Sequence, residues 1–123
     1  MSRQVEGVLL IAHGTSAPGA EAIVEALADM LRARLPGCPL QVAYLCSADA
    51  GIEAGLGRLV GLGVTHVKVA PCFLFDGVHV REGVPAAIAA FRERFPQVMV
   101  SLGRSLGADA RIADVLAERI AEI

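Results

Sequence analysis

Four short apolar runs alternating with stretches of helical periodicity predict an α/β fold. The expected form is a three-layer sandwich: a four-stranded, mostly parallel sheet with helices on both faces. Three observations carry this reading. The apolar runs are brief and rich in branched residues, as strands buried on both faces are. The stretches between them repeat apolar residues every three or four positions, the spacing of one helix face. Proline and glycine punctuate the junctions.

Val5 to Ala12 (VEGVLLIA) is too short and too continuously apolar for a surface helix and reads as the first strand, stopping at His13-Gly14. From Pro18 to Leu35 the residues Ile23, Leu27, Met30, Leu31 and Leu35 recur at helical spacing, with Pro18 in a first turn that tolerates proline and Pro36-Gly37 as the stop. Leu40 to Leu45 is the second strand. Asp49 is a candidate N-cap for a helix to about Leu62, in which Gly51, Gly55 and Gly57 lower the propensity but permit close approach to the sheet. His66 to Phe73 is the third strand, broken at Asp76-Gly77 before a helix from about Val84 to Phe95. Pro96 separates that helix from strand four, Gln97 to Leu102, and the closing helix runs from Asp109 to about Ala121 with Ile112, Val115, Leu116 and Ile120 on one face. The order βαβαβαβα implies right-handed crossovers and a flavodoxin-like sandwich.

One domain spanning residues 1–123 accounts for the length, and 54% hydrophobic residues with 4% aromatic and no Trp call for a core of Val, Leu, Ile and Ala. A net charge of −2 argues against nucleic acid as a partner, which needs a basic face. Three scattered cysteines, Cys38, Cys46 and Cys72, form neither a CxxC pair nor a closed disulfide set, as in a reducing compartment. With no secretory segment and no apolar run near the ~20 residues that span a bilayer, the expectation is a soluble, cytoplasmic protein that does not engage membranes.

In open parallel sheets ligands bind beyond the carboxyl ends of the strands, where the strand order reverses. That rule selects His13-Gly14-Thr15-Ser16, Cys46-Ser47-Ala48-Asp49, Leu74 to Glu82, and Gly103-Arg104-Ser105. Both strand-exit histidines, His13 and His79, are there, and imidazole suits metal binding and proton transfer near neutral pH. His13 serves either that chemistry or a structural bond to backbone. His79 sits beside Asp76, Arg81 and Glu82 in a glycine-interrupted loop, the kind of segment that carries sites on a rigid scaffold. Glu82 suits a base, a metal ligand or a helix-dipole partner; Thr15 and Ser16 suit a ligand contact or a cap; Arg104 and Ser105 line the same rim. Cys46 and Cys72 read as small core residues, and His66 as a solvent-facing strand residue. GxGxxG after the first strand, GxxxxGK[ST] and GxSxG are all missing, which removes support for dinucleotide, P-loop and α/β-hydrolase readings.

The motifs LLIAHGT, VAPCFLFDGVHVREGVP and SLGRSLGADARIADVLAERI together resemble the short form of the class II tetrapyrrole chelatases, the CbiX-type sirohydrochlorin cobaltochelatase and ferrochelatase family. The likeness runs nearly end to end. It implies a chelatase half-domain that inserts a divalent metal, Co²⁺ foremost with Fe²⁺ or Ni²⁺ as alternatives, into sirohydrochlorin or a related acidic tetrapyrrole without an organic cofactor. His13 and His79 match the family's metal-binding and proton-abstracting histidines, and Glu82 is the nearest carboxylate to assist. Thr15, Ser16, Arg81, Arg104 and Ser105 are the implied contacts to the substrate's carboxylates. The resemblance further implies a homodimer, since longer relatives carry two such halves. Two positions depart from the family pattern: Cys46 stands where a carboxylate is expected, and Gly83 where an aspartate precedes the Val-Pro pair. They keep a second reading in view, a metal- or tetrapyrrole-binding protein on the same fold.

Overall fold

The computed structural model describes residues 4–14, 17–45, 47 and 51–123. Its elements follow the expected alternation: β1 (Glu6–Ala12), α1 (Ala20–Arg34), β2 (Leu40–Tyr44), α2 (Ile52–Gly61), β3 (His66–Pro71), a π turn (His79–Gly83) running into α3 (Val84–Arg94), β4 (Met99–Leu102) and α4 (Ala110–Ala121). All four strands are parallel, in the order β2-β1-β3-β4. Val8 lies opposite Leu40 on one side of β1 and Lys68 on the other, and Val69 lies opposite Leu102 across β3 and β4.

Because β1 is paired on both edges and covered on both faces, its alternate residues enter two separate cores. Leu9 and Ile11 join Ala43, Val67 and Val69 under α2 and α3, with Leu56, Leu59, Val84 and Phe91. Leu10 and Ala12 join Leu40, Val42, Tyr44 and Ala28 under α1. The crossover rule explains the asymmetry. The chain moves one way from β1 to β2 and the other way from β2 through β3 to β4, so α1 lies alone on its face while α2 and α3 share the opposite one. Gly55 belongs to this packing, since a Cβ there would come within 2.5 Å of Leu9 Cδ1.

Several boundaries and faces differ from the sequence expectation. α1 is capped by Gly19 at φ 82°, a left-handed conformation that glycine adopts without strain, so Pro18 precedes the helix. The core face of α1 is Val24, Ala28 and Leu31, whereas Ile23, Leu27 and Met30 are exposed on its flank. Amphipathic spacing located the helix but not which of two adjacent apolar stripes the sheet takes. The proposed cap Asp49 lies outside the described residues, and α2 begins at Ile52 behind Gly51. The helix expected from Val84 starts five residues earlier, as the π turn. Pro85 has no N–H to donate to the Arg81 carbonyl and its ring crowds that carbonyl, so the turn before it is widened. His66 is half-buried and hydrogen-bonds with Ser101 Oγ at 2.8 Å across β3 and β4, so it ties the sheet edge instead of standing free in solvent. α4 begins at Ala110, one residue after the expected start, with Asp109 as its cap, accepting from Arg111 N at 2.9 Å.

Two outcomes check this packing. Gly55→Val is expected to destabilise the fold by about 1–3 kcal/mol through overpacking against Leu9, read by urea unfolding. The Arg111 side chain and backbone hold the Asp109 carboxyl well below the usual carboxylate range. Its contribution is therefore complete above the unfolded value near pH ~4 and is lost only as pH falls through the lower folded value. Hydrogen exchange should show the first-turn amides of α4 unaltered between pH 7 and about 4 and deprotected in stronger acid.

Candidate active site

The strand order reverses between β1 and β3, and their carboxyl ends bring His13 and Phe73 together. The two rings meet edge to face, with centroids 6.4 Å apart and an interplanar angle of 89°. The exits are fixed by backbone bonds on either side of His13: Leu45 N donates to the Ala12 carbonyl at 3.0 Å and Cys72 N to the Ile11 carbonyl at 2.8 Å. Gly14, at φ 84°, turns the chain away immediately after His13. His13 is exposed, and its Nδ1 lies 3.2 Å from the Gly14 carbonyl. A carbonyl accepts only from a protonated ring nitrogen, so this contact favours the Nδ1–H tautomer.

Beside this point a cleft of about 320 Å³ opens between the ends of β3 and β4 and the π turn, lined by Pro71, Asp76, Val80, Arg81, Pro85, Leu102 and Gly103. The π turn replaces what the sequence suggested was loop, with Arg81 N donating to the Gly77 carbonyl at 3.0 Å. His79 opens that turn; the description there covers its backbone. Arg81 and Glu82 are exposed in the same turn, and Arg81 faces the cleft together with Asp76. Gly83, at the expected aspartate position, is exposed at the end of the turn with helical backbone angles.

Ser105 is buried, and its hydroxyl donates to Asp76 Oδ1. It braces the carboxylate from behind, so its own proton is engaged within the protein. Two backbone bonds strengthen this brace, Leu106 N to the Phe73 carbonyl and Gly107 N to the Leu74 carbonyl, both 2.8 Å. Arg104 is exposed on the same loop. Thr15, Ser16 and Cys46 lie outside the described residues. The structure thus joins Asp76, Arg81 and Ser105 around one cleft and sets His13 at the adjacent switch point. Among the described residues no three His, Cys, Asp or Glu side chains form a metal-sized cluster.

Asp76 is the residue that sequence reasoning left as a mere neighbour of His79. Its signal was present as a charge followed by glycine directly after an apolar strand, but its partner Ser105 is 29 residues away. Tyr44 was also missed. Its hydroxyl is buried at the carboxyl end of β2 without a hydrogen-bond partner among the described residues, and burial, then Glu25 and Glu21, raise its pKa. Burial likewise raises the Cys72 thiol, which keeps it protonated at neutral pH, as the reading of a core cysteine expects.

A family model, CbiX, matches residues 7–123. The chain belongs to the CbiX family. It is 33% identical over 119 residues to the sirohydrochlorin ferrochelatase of Priestia megaterium, covering 96% of this chain and 44% of that protein. It is 25% identical over 123 residues to the sirohydrochlorin cobaltochelatase of Methanosarcina acetivorans, covering 94% of this chain and 95% of that protein. Thus the chain spans less than half of the ferrochelatase and nearly all of the cobaltochelatase. Among solved structures, the sirohydrochlorin chelatase SirB of Bacillus subtilis subspecies spizizenii in complex with cobalt shares the fold with a TM-score of 0.90 at 24% identity, over 98% of this chain and 51% of that one. A CbiX protein of Marinobacter aquaeolei VT8 matches with a TM-score of 0.79 at 27% identity, over 97% and 94% of the two chains.

Three substitutions test the CbiX rim. Ser105→Ala is expected to lower stability by about 1.5 kcal/mol, the low end for a bond to a charged acceptor because Asp76 is open to solvent, and Asp76→Asn combined with it should add little more in urea unfolding. Tyr44→Phe should leave stability unchanged or raise it by up to about 1 kcal/mol, because it removes a buried hydroxyl that gains no hydrogen bond from the described residues.

Proposed function

We propose that this CbiX-family protein inserts a divalent metal ion, Co²⁺ foremost with Fe²⁺ and Ni²⁺ as alternatives, into sirohydrochlorin or a related tetrapyrrole. The observation that supports the reading is that His13 stands exposed at the switch point, edge to face with Phe73 at the exit of β3. The curated relatives named above, which are sirohydrochlorin chelatases, support the substrate. The metal is a substrate, and the balance is simple: one M²⁺ enters the macrocycle and two pyrrole protons leave. An imidazole lone pair is suited both to presenting the ion and to taking a proton in this exchange. His13 and His79 have those roles, with Glu82 and Asp76 as carboxylates that pass protons to water.

The same proposal gives Arg81, Arg104, Thr15 and Ser16 the peripheral carboxylates of the substrate, an arrangement suited to guanidinium and hydroxyl donors. Ser105 acts at one remove by holding Asp76. The active unit is a dimer of two such chains in the cytoplasm; the unpaired thiols Cys38 and Cys72 suit a reducing compartment.

The test is insertion into sirohydrochlorin followed by its absorbance change, with Co²⁺, Fe²⁺ and Ni²⁺ in parallel. Acceleration over the spontaneous rate is expected, and His13→Ala or His79→Ala should lower kcat/KM at least ~10²-fold, the lower range for removal of a proton-transfer group. Saturable binding of metal and macrocycle without acceleration would instead support a carrier, and full activity in both variants would remove the two histidines from the mechanism.

A further inference from the structure

We propose that the cleft between β3, β4 and the π turn is a specificity subsite that takes one peripheral arm of the macrocycle as its carboxamide. Arg81 donates to the amide carbonyl and Asp76 accepts from the amide N–H. The subsite rests on the chelatase reading above and narrows its related tetrapyrrole to one with an amidated arm. Size assigns the cleft to an arm and not to the ring. At ~30 Å³ for each water-sized group, its volume of about 320 Å³ holds roughly ten such groups. That is fewer than a tetrapyrrole ring contains and enough for a side arm with its pyrrole edge.

Of the residues that line the cleft, Pro71, Val80, Pro85, Leu102 and Gly103 carry no polar side chain. The methylene part of an arm fits against them, and recognition falls to Asp76 and Arg81. Asp76 gives one carboxylate oxygen to the Ser105 hydroxyl and keeps the second. Among the described residues neither Asp76 nor Arg81 enters an ion pair. The cleft thus presents one charged acceptor and one charged donor, Asp76 on the segment that leaves β3 and Arg81 in the π turn.

A single group that satisfies both must itself donate and accept. A primary carboxamide does so, with two N–H donors and a carbonyl acceptor. A carboxylate pairs with Arg81 but brings a like charge toward Asp76 and has no proton to offer it. The buried Ser105 hydroxyl fixes Asp76 from behind, and the bonds from Leu106 N and Gly107 N to the Phe73 and Leu74 carbonyls hold the loop, so the carboxylate is not free to turn away. Asp76 therefore acts against acid arms as well as for amide ones, since a site that hydrogen-bonds one group rejects an analogue that leaves it unpaired. Position supports the same assignment. Pro71, in the cleft wall, lies opposite Ile11 of β1, two residues before His13, so a ring anchored by this arm lies beside the switch point.

The test compares metal-free sirohydrochlorin with its separated monoamides, binding to the full chain being followed by macrocycle fluorescence and insertion by absorbance. Wild type is expected to bind one monoamide at least about tenfold more tightly than the acid, the span of one charged hydrogen bond. In Asp76→Asn the Ser105 hydroxyl still has a side-chain carbonyl to donate to, which turns the new NH₂ toward the cleft, so the preference should invert to the acid. Arg81→Ala should weaken the preferred monoamide about tenfold or more. The ratio of two ligands on one variant does not depend on how much of that variant is folded, so a purely structural role for Asp76 would leave it unmoved. Equal or tighter binding of the acid by wild type, or a preference that Asp76→Asn leaves in place, would overturn the proposal. The expected preference without metal insertion leaves the subsite standing and removes the chelatase reading; insertion without preference for any monoamide does the reverse, and a chain that binds neither macrocycle overturns both.

Discussion

The pairing of β1 with a parallel neighbour on each edge is the constraint on which the rest of the molecule depends. It brings the carboxyl ends of β1, β2 and β3 to one rim, and β4, paired to β3, adds its own exit there. A register slip of one residue would turn Leu9 and Ile11 out of the core shared with α2 and α3 and exchange them for Leu10 and Ala12. Burial on both faces makes that exchange costly, so the register is firmly set. The position of His13 is a direct consequence. It is the first residue beyond the paired segment, bracketed by the bonds from Leu45 N and Cys72 N to the last strand carbonyls.

Away from β1 the rim is held by fewer and more distant contacts. The segments that leave β3 and β4 are joined by the Ser105 hydroxyl on Asp76 and by two backbone bonds. Pro85 acts from the other side, since its missing N–H widens the preceding turn and sets Arg81 toward the cleft. A carboxylate and a guanidinium thus share one cleft without a short ion pair between them, which leaves both available to an anionic substrate and its leaving protons.

The uneven cover of the sheet follows from the same topology. Two helices on one face fill a layer, and Gly55 lets α2 approach Leu9 closely enough to complete it. One helix on the other face leaves β3 and β4 open.

What the sequence determined by itself is the alternation of elements, the parallel sheet and the strand exits where chemistry gathers, because these follow from local periodicity and from the chirality of crossovers. The positions of His13, Arg81 and Glu82 at the rim were legible for the same reason, each lying next to a strand end or a glycine break. Tertiary structure alone decided that α1 buries Ala28 and not Leu27, that His66 joins Ser101, that Ser105 faces Asp76 and not solvent, and that α4 stands without a seat. The two side-chain pairs join residues 35 and 29 positions apart, and the α1 face depends on which of two similar stripes meets the sheet; no periodicity within one segment encodes a partner in another.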